Sequence, residues 1–364
     1  MKIGILTFHR AENFGAVLQC YALQTYLESL GFVVKIIDYR CEAIERTYYL
    51  FNFKLLFHRL NIFASVYNYL QILHHWKDRL EKKKSYKLFR KKYLNLSSPL
   101  FKITKDLGFD IYITGSDQVW NTSLLRGYNN VYFLDFPISK HAKRVAYAVS
   151  SEHSAINDLG IFESNLKNAL NRFDAISTRE EFFSEILKKF TSKEIDVCVD
   201  PTFLLSKKVY AELAVKPKES NYVLVYHMAE IPEGSLLAEK IARDKGCSVI
   251  EIHARFASRK DKKRHKQNVG PLELLGYIMY ANLVITTSFH GLAFSLIMEK
   301  NFYIISKSDN LRLKGLLNRI GLENRMVTSD KELNINDIDY SLITEKLQSF
   351  SKSSKEFLIK SIVK

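Results

Sequence analysis

Residues 2–38 read KIGILTFHRAENFGAVLQCYALQTYLESLGFVVKIID. The run KIGILT at 2–7 has the apolar character of a buried strand, and VVKIID at 33–38 has it again. Between these runs, apolar side chains recur at helical spacing over residues 16–30, and Gly31 follows where a helix is expected to end. Strand, helix and strand in this order form a βαβ unit, which predicts a parallel sheet with a right-handed crossover.

The same alternation continues in both halves of the chain. Strands are predicted at 110–114, 144–149, 174–177, 196–199, 222–227, 248–252, 283–286 and 302–305, and helices at 271–280 and from about 291. Asp200-Pro201-Thr202 interrupts the pattern and marks a hinge. We therefore predict two doubly wound, Rossmann-like α/β domains facing a cleft, residues 1–203 and 204–364, with the last helix packing back on the first domain.

Composition restricts the class of protein. The 364 residues are 47% hydrophobic and 26% charged, which is typical of folded domains and excludes a disordered chain. No run of about 18 apolar residues is present, so we expect no membrane-spanning helix, and the first residues read as a strand rather than a signal peptide. The four cysteines lie far apart and form no CxxC pair, so we expect reduced, mostly buried thiols in a cytoplasmic protein and no metal site.

Positive charge is concentrated in one aromatic-rich segment. The formal net charge is +15, and residues 51–105 alone contain 13 Lys or Arg against 2 acids. We predict that this segment is helical and forms an insertion or lid at about 48–100 in the N-terminal domain. Such a surface attracts anionic lipid, phosphorylated substrates or nucleic acid, and the structural alternative is a solvated helical face.

Ligands of open α/β sheets bind beyond the carboxyl ends of the strands, so the turns that follow strands carry the candidate residues. The first turn is TFHRAENFG at 7–15, where Gly15 permits close backbone approach and the helix start offers N–H groups to an anion. His9, Arg10 and Asn13 are candidate ligand residues. The GxGxxG pattern of dinucleotide sites is missing from this turn, and the alternative is a loop with Asn13 as a helix cap.

The second turn is TGSDQVWN at 114–121. Ser116 supplies a hydroxyl, Asp117 a carboxylate for helix capping or for sugar hydroxyls, and Trp120 a ring that would stack on a sugar face. The alternative is a helix N-cap followed by a core tryptophan.

The third turn is ISTREE at 176–181. A single Arg179 after a short buried strand offers a guanidinium fork to a carboxylate or a phosphate. The alternative is an internal ion pair with Glu180, Glu181 or Asp200.

The fourth turn lies in ITTSFHGLAFSLIMEK at 285–300. Thr287 and Ser288 follow the strand, and Gly291 starts a helix whose N–H groups and dipole favour negative charge. His290 stands where a phosphate would lie and is able to donate a hydrogen bond or a proton near neutral pH. The alternative is a histidine with a purely structural hydrogen bond.

Taken in order, these segments resemble those of the polysaccharide pyruvyl transferases. The resemblance covers nearly the whole chain and rests on NFGAVLQCYALQTYL, ITGSDQVWN, ISTREE, VDPTFLL and GPLELLGYIMYANLVITTSFHGLAFSLI. It implies two Rossmann-like domains with an architecture similar to the GT-B glycosyltransferases. It also implies phosphoenolpyruvate as donor, a sugar diol of a capsular or exopolysaccharide precursor as acceptor, a pyruvate ketal as product, and neither a metal nor another cofactor.

The resemblance maps the family's donor-binding arginine onto Arg179 and its donor-site histidine onto His290. Some members carry Arg-Leu before the His-Gly pair, whereas this chain has Ser288-Phe289, so another cation must replace the second arginine. The candidates for that replacement are Arg312, Lys314 and Arg255.

The implied reaction needs two anion pockets, an acid and a base. Phosphoenolpyruvate carries a carboxylate and a phosphate on adjacent atoms, and each needs cationic or N–H-rich surroundings. We assign His290 to proton donation to the departing phosphate, Asp117 to the acceptor hydroxyls and His9, as reserve candidate, to protonation of the methylene carbon. The predicted acceptor site also includes Arg10, Asn13, Gly15, Ser116 and Trp120.

The acceptor in this family is often a lipid-linked oligosaccharide, which suits the basic aromatic segment. Lysines and arginines would meet headgroups or the lipid diphosphate while aromatic rings lie at the interface. We therefore expect a lipid-diphosphate-linked acceptor and peripheral association with the anionic inner face of a membrane.

Two other functions share some of these features. A glycosyltransferase with a nucleotide-sugar donor would use the same two-domain scaffold, and the melting temperature in phosphoenolpyruvate or a nucleotide diphosphate would separate the two enzymes. Nucleic-acid binding would follow from the basic charge, but the sequence contains no recognised nucleic-acid motif, so nucleic acid is not expected as a partner.

Overall fold

The structure is a computed structural model that describes residues 1–48, 76–152, 157–254, 261–306, 310–327 and 336–363. The chain forms two compact units. Unit 1 consists of Met1–Glu45, Arg90–Leu205 and Ser341–Lys364, and unit 2 consists of Arg46–Phe89 and Ser206–Tyr340. The described part of the predicted insertion up to Phe89 thus belongs to unit 2, and the last helix belongs to unit 1. Residues 49–75 of the basic segment, and Arg255, lie outside the described residues.

The described residues contain twelve strands, which form two parallel sheets. The strands of unit 1 are β1 (Lys2–Leu6), β2 (Val33–Ile36), β3 (Ile111–Thr114), β4 (Lys143–Val149), β5 (Ala175–Thr178) and β6 (Ile195–Val197). Those of unit 2 are β7 (Tyr222–His227), β8 (Ser248–His253), β9 (His265–Lys266), β10 (Leu283–Thr286), β11 (Phe302–Ile305) and β12 (Met326–Val327). The prediction of two doubly wound, Rossmann-like domains is confirmed.

The described helices follow in chain order. They are α1 (Phe14–Ser29), α2 (Glu42–Glu45), α3 (Trp76–Tyr93), α4 (Thr122–Leu125), α5 (Glu163–Arg172), α6 (Glu181–Leu187), α7 (Lys207–Leu213), α8 (Pro232–Lys245), α9 (Pro271–Tyr280), α10 (Phe289–Ile297), α11 (Leu311–Ile320) and α12 (Tyr340–Val363). None of them is long and apolar enough to cross a membrane.

The sheet of unit 1 has the strand order 2-1-3-4-5-6, and every pair is parallel. The final helix α12 packs on this unit through small and apolar side chains. The hydroxyl of Ser354 accepts from the N–H of Val199 at 2.9 Å, Ser351 donates to the carbonyl of Phe203 at 2.9 Å, and Leu358 is fully buried. Chain segments that are distant in sequence therefore share one core.

The sheet of unit 2 has the order 12-11-10-7-8-9, which is the Rossmann order when counted from β7. Strands β7, β10 and β11 are buried along their whole length, as expected for parallel strands that are covered on both faces. Val225 and Ile285 pack with Ala238 and Ile241 of α8. The apolar run stops at the carboxyl ends of β7 and β10, where polar residues begin.

Candidate functional site

In unit 1 the strand order reverses between β1 and β3, and the loops after these strands meet at the carboxyl edge of the sheet. Thr7, directly after β1, donates its hydroxyl to the carbonyl of Ser116 at 3.1 Å. The same hydroxyl accepts from the side-chain amide of Gln19 in α1 at 2.7 Å. These buried bonds bring the first and second predicted turns together.

The start of α1 shows the capping arrangement that was the alternative for the first turn. Oδ1 of Asn13 accepts from the N–H of Ala16 at 3.3 Å, and Gly15 is buried in the first helical turn. Arg10 donates from Nε to Oε1 of Glu45 at 3.0 Å. Its side chain is 23% exposed, so Arg10 keeps part of its surface accessible to a ligand.

His9 is buried between two oxygen acceptors. Its Nε2 lies 2.9 Å from Oδ1 of Asp38 and its Nδ1 lies 3.1 Å from the carbonyl oxygen of Thr7. Burial lowers the pKa of His9, although Asp38 favours the charged imidazolium. Burial acts to raise the pKa of Asp38, but the hydrogen bonds from His9 and Arg40 outweigh it and lower that pKa to about 2. Proton transfer from His9 to a substrate would require these contacts to break.

The loop after β3 presents Asp117 in an unusual backbone conformation. Its φ of 69° lies in the left-handed region, which is uncommon for a residue other than glycine. Oδ1 accepts from the N–H of Gln118 at 2.9 Å, and the backbone carbonyl accepts from the N–H of Ser150 at 3.0 Å. Strained backbone of this kind concentrates at ligand sites. Asp117 is half-buried, and its role toward acceptor hydroxyls stays a prediction.

Trp120 is a core residue. Its indole is fully buried and stacks on Phe133 with ring centroids 4.8 Å apart, while Nε1 donates to the carbonyl of Tyr132 at 3.0 Å. Protein atoms cover the ring, so in place of the predicted sugar contact the structure shows the alternative, a core tryptophan. The cap of the following helix α4 is Asn121 rather than Asp117.

Arg179 is the centre of a buried polar network. Its Nε donates to Oε1 of Glu180 at 2.8 Å, its Nη1 to Oδ2 of Asp200 at 2.9 Å and its Nη2 to the hydroxyl of Ser150 at 3.0 Å. Ser116, also buried, donates to Oδ2 of Asp200 at 3.3 Å. The internal ion pairs that the sequence left open as an alternative are therefore present, with Glu180 and Asp200 as the partners.

The two carboxylates change the field that Arg179 offers to an anion. Burial acts to lower the pKa of Arg179, but the charges of Glu180 and Asp200 outweigh it and raise that pKa. The guanidinium stays ionised, yet with these two neighbours the group of three carries a formal charge of −1. Contact between Arg179 and an anionic donor stays a prediction, and it would need further donors to offset the carboxylates.

In unit 2 the sheet order reverses between β7 and β10, and Thr287 joins the loops that follow these two strands. Its hydroxyl accepts from the N–H of Met228 at 2.9 Å and of Ala229 at 3.1 Å. In a doubly wound sheet, this reversal is the position where ligands bind. The fourth predicted turn thus lies at the reversal point of unit 2.

Ser288 and Gly291 define the start of α10. The hydroxyl of Ser288 accepts from the N–H of Gly291 at 3.3 Å and caps the helix. A Cβ added at Gly291 would lie 2.3 Å from Oγ1 of Thr286, so the helix start packs directly on the end of β10. His290 is the second residue of this helix and is 7% exposed. The predicted arrangement of serine cap, histidine and glycine at a helix N-terminus is present.

Arg312 and Lys314 occupy the first turn of α11, which follows β11. Since β11 is the neighbour of β10, the N-termini of α10 and α11 belong to the same edge of the sheet. Neither helix has an acidic residue in its first turn. Helix dipoles and two cations therefore make this edge favourable for an anion.

Comparison with known proteins agrees with this arrangement. A family model described as polysaccharide pyruvyl transferase matches residues 13–309. The matched segment includes Asp117, Arg179 and His290 and covers well over half of the chain. The chain belongs to the polysaccharide pyruvyl transferase family. It is therefore a transferase of polysaccharide biosynthesis.

Solved structures similar to this pyruvyl transferase family member include the UDP-GlcNAc 2-epimerase of Neisseria meningitidis bound to UDP-GlcNAc, with 8% identity and a TM-score of 0.45 over 99% of this chain and 94% of that chain. The E. coli heptosyltransferase with ADP has 11% identity and a TM-score of 0.39 over 99% of this chain and 100% of that chain. At this level, neither similarity bears on activity. Comparison with curated proteins gives no match.

Ser150 is the partner of Arg179 that was not predicted, whereas Glu180 and Asp200 were among the predicted alternatives. Ser150, Glu180 and Asp200 surround Arg179, and they follow β4, β5 and β6 respectively. The signal available in the sequence was their position, because each lies just beyond the carboxyl end of one of three neighbouring strands.

Proposed function

We propose that this chain transfers the enolpyruvyl-derived group of phosphoenolpyruvate to two hydroxyls of a sugar in a polysaccharide precursor, forming a pyruvate ketal and releasing phosphate. The observation that carries the proposal is the family match over residues 13–309. The anion-favouring edge of unit 2 supports a donor with two acidic groups.

The donor would bind at the starts of α10 and α11. The first N–H groups of a helix have no partner within the helix, and Ser288 satisfies that of Gly291. Arg312 and Lys314 in the first turn of α11 would add positive charge to this edge for a phosphate or a carboxylate.

The reaction would proceed through a proton on the methylene carbon and a cationic centre at the neighbouring carbon. One sugar hydroxyl attacks that centre and loses its proton, the carbon–oxygen bond to phosphate breaks, and the second hydroxyl closes the ketal ring and loses its own proton. The two protons released balance the proton added to the methylene carbon and the proton that leaves with the phosphate. His290 would donate a proton to the departing phosphate. Asp117 would accept a proton from an attacking hydroxyl, and the helix dipoles would stabilise the phosphate as it leaves.

The acceptor would be an oligosaccharide linked to a lipid diphosphate, and α3 supports this part of the proposal. Lys77, Lys84 and Lys91 recur at intervals of seven along the helix and are exposed. Leu80 and Leu88 on the same side are 41% and 55% exposed. A helix face that combines lysines with apolar side chains suits an anionic membrane surface, so we propose peripheral association there.

Mass spectrometry of lipid-linked sugars incubated with the protein and phosphoenolpyruvate tests the reaction. The expected product has gained one pyruvate less one water, with phosphate released in step. His290→Asn should slow phosphate release by about 10²–10⁴-fold, the usual contribution of a positioned acid. His141→Asn, a change at an exposed histidine in unit 1, should leave the rate unchanged.

Two results would contradict the proposal. One is phosphate release by His290→Asn at the rate of the unmodified protein, which would remove the assigned acid. The other is a melting temperature that rises with a nucleotide diphosphate and not with phosphoenolpyruvate. That outcome would favour a nucleotide-sugar glycosyltransferase instead.

A further inference from the structure

Unit 2 carries a second polar cluster, at the carboxyl ends of β7, β8 and β9. His227 ends β7 and lies opposite His253, which ends β8. Glu251, two residues before His253, lies opposite His265 of β9. Because side chains at positions i and i+2 of a strand share a face, the sheet register gathers these four side chains on one side. We call them the histidine cluster.

The ligand-forming atoms of the cluster are close together. One ring nitrogen of His227, one of His253 and a carboxylate oxygen of Glu251 all lie within 4.8 Å of one another. Nε2 of His227 is 2.7 Å from Oε2 of Glu251, and Nε2 of His253 is 3.0 Å from Nδ1 of His265. That same Nδ1 is 3.9 Å from Oε2 of Glu251.

The hydrogen bonds of His253 orient its lone pair. Its Nδ1 lies 2.7 Å from Oε1 of Glu230, an acceptor, so Nδ1 carries the proton and the neutral ring has its lone pair on Nε2, which faces His265. A histidine that donates one N–H to a carboxylate while the other nitrogen points into a cluster has the arrangement usual for a metal ligand.

The two ring nitrogens of His227 have different surroundings. Its side chain is 2% exposed, and its Nδ1 is buried without a hydrogen-bond partner among the described residues. Its Nε2, by contrast, is the nitrogen that faces Glu251 and the cluster, so an ion would be held through Nε2 and the proton of the neutral ring would then lie on Nδ1. The strand that carries His227 is buried along its whole length, so bulk water does not reach this atom.

Glu251 supplies the charge that a cation needs. Burial acts to raise its pKa, but hydrogen bonds from His227, Arg264 and Ser235 outweigh it and lower the pKa, so the group is ionised. Arg264 contacts Oε1, at 2.8 Å from its Nε, whereas His227 and Ser235 lie against Oε2. The carboxylate is thus held rigidly with one oxygen toward the imidazoles.

We propose that the histidine cluster binds a divalent transition-metal ion of the zinc class, with His227, Glu251 and His253 as ligands and His265 as the fourth. Nitrogen-rich sets with one carboxylate suit zinc and its neighbours, whereas Mg²⁺ and Ca²⁺ prefer oxygen. Ligand atoms of a tetrahedral zinc site lie about 3.3 Å apart, since each is about 2.0–2.1 Å from the ion. Three of the separations are 2.7, 3.0 and 3.9 Å, and the ligand atoms of His227, Glu251 and His253 all lie within 4.8 Å of one another, so small side-chain adjustments would bring the set to that spacing.

The proposal differs from the expectation of a metal-free protein and is independent of the proposed pyruvyl transfer. The test is zinc binding by the full chain after removal of metals with a chelator, measured by calorimetry with ZnCl₂ and by the visible spectrum with CoCl₂. We expect one ion per chain and a Co²⁺ spectrum of tetrahedral intensity.

Matched variants make the assignment specific. Glu251→Gln and His253→Ala should each weaken zinc binding by more than about 100-fold, and Glu230→Gln by about 10–100-fold through loss of the orienting carboxylate. Glu230 has a side chain 40% exposed, so its substitution should leave the fold intact. His141→Ala removes an exposed histidine outside the cluster and should not change the affinity.

Binding that is undetectable in the unmodified protein would overturn the proposal and leave a purely hydrogen-bonded cluster. So would binding that Glu230→Gln and Glu251→Gln leave unchanged, since zinc would then be held elsewhere. Neither readout needs turnover, so failure here is distinguishable from failure of the proposed transferase reaction.

Discussion

Because Gly291 packs closely on the end of β10, we expect Gly291→Ala to lower the stability of unit 2. The added Cβ would lie 2.3 Å from Oγ1 and 2.9 Å from both Cβ and Cγ2 of Thr286. Thr286 cannot turn away without loss, because its hydroxyl donates to the carbonyl of Tyr226 at 2.9 Å and accepts from the N–H of Ser288 at 3.1 Å. The start of α10 must therefore move.

The size of the effect follows from two opposing contributions. Overpacking of this kind costs about 1–3 kcal/mol, while replacing glycine by alanine in a helix gains about 0.5–1 kcal/mol. Gly315 in α11 provides the matched control, since a Cβ there would meet nothing within 4 Å. Both variants share the helical gain, so the difference between them isolates the close contact at about 1–3 kcal/mol.

Urea unfolding of both variants measures that difference in free energy. In thermal unfolding, the melting temperatures should differ by about 2–4 °C for each kcal/mol in a unit of this size. Gly291→Ala should also lower the affinity for the proposed donor, phosphoenolpyruvate, because the proposed site includes the first turn of α10, which would be displaced. Gly315→Ala should be slightly more stable than the unmodified protein.

Equal stability of Gly291→Ala and Gly315→Ala would refute the packing argument. A double-mutant cycle sharpens the test: Thr286→Ala removes two of the three crowding atoms, so the cost of Gly291→Ala should shrink in that background. Simple additivity of the two free energies would show that the residues are not in contact.

Three further predictions concern charge. Arg179→Ala should lower the free energy of unfolding of unit 1 by about 3–5 kcal/mol, because two buried carboxylates lose their cation; a urea midpoint near that of the unmodified protein would contradict it. The pKa of Asp38 is lowered from 3.8 to about 2 in the folded protein. The ionised carboxylate therefore stabilises the fold fully above about pH 4, and this contribution is lost as the pH falls toward 2. Asp38→Asn should remove about 2 kcal/mol from the acid dependence of the free energy of unfolding, measured across this pH range. The double variant Lys84→Gln with Lys91→Gln should bind anionic vesicles at low salt roughly 30-fold more weakly, at about 1 kcal/mol per lysine. The control double variant Lys188→Gln with Lys189→Gln should bind them as the unmodified protein does. If vesicles retain both double variants equally, α3 is excluded as the contact surface.

Much of the fold was predictable because its strands are buried on both faces. Long apolar runs such as 222–227 identify such strands without any knowledge of their partners. The edge strands β9 and β12 were missed, since each has only two residues and no apolar period. The membership of residues 76–89 in unit 2 is set by tertiary packing: Lys82, nearly fully buried, donates to the carbonyl of Ala254 at 2.9 Å. No local pattern encodes that contact.

The positions of the candidate site residues could be predicted from the sequence, but most of their contacts could not. Each of the four turns lies at the carboxyl edge of a sheet, because topology alone decides that placement. Trp120 illustrates what topology leaves open, since an aromatic residue after a strand fits either a ligand or the core. The histidine cluster needed the strand register, because His227 and Glu251 are 24 residues apart and meet only when β7 and β8 are aligned.

The two sheet edges differ in the charges that surround them, and this difference bears on where an anion would bind. At the edge of unit 1, Arg179 is paired with carboxylates within the protein and His9 with Asp38. At the edge of unit 2, the first turns of α10 and α11 contain no acidic residue, and the first turn of α11 contains Arg312 and Lys314. The helix N-termini at the edge of unit 2 favour a small dianion, whereas at the edge of unit 1 a dianion would compete with buried ion pairs. This difference supports the proposal that the donor binds at unit 2, in which case the network around Arg179 would serve to hold the loops that carry Ser116 and Asp117.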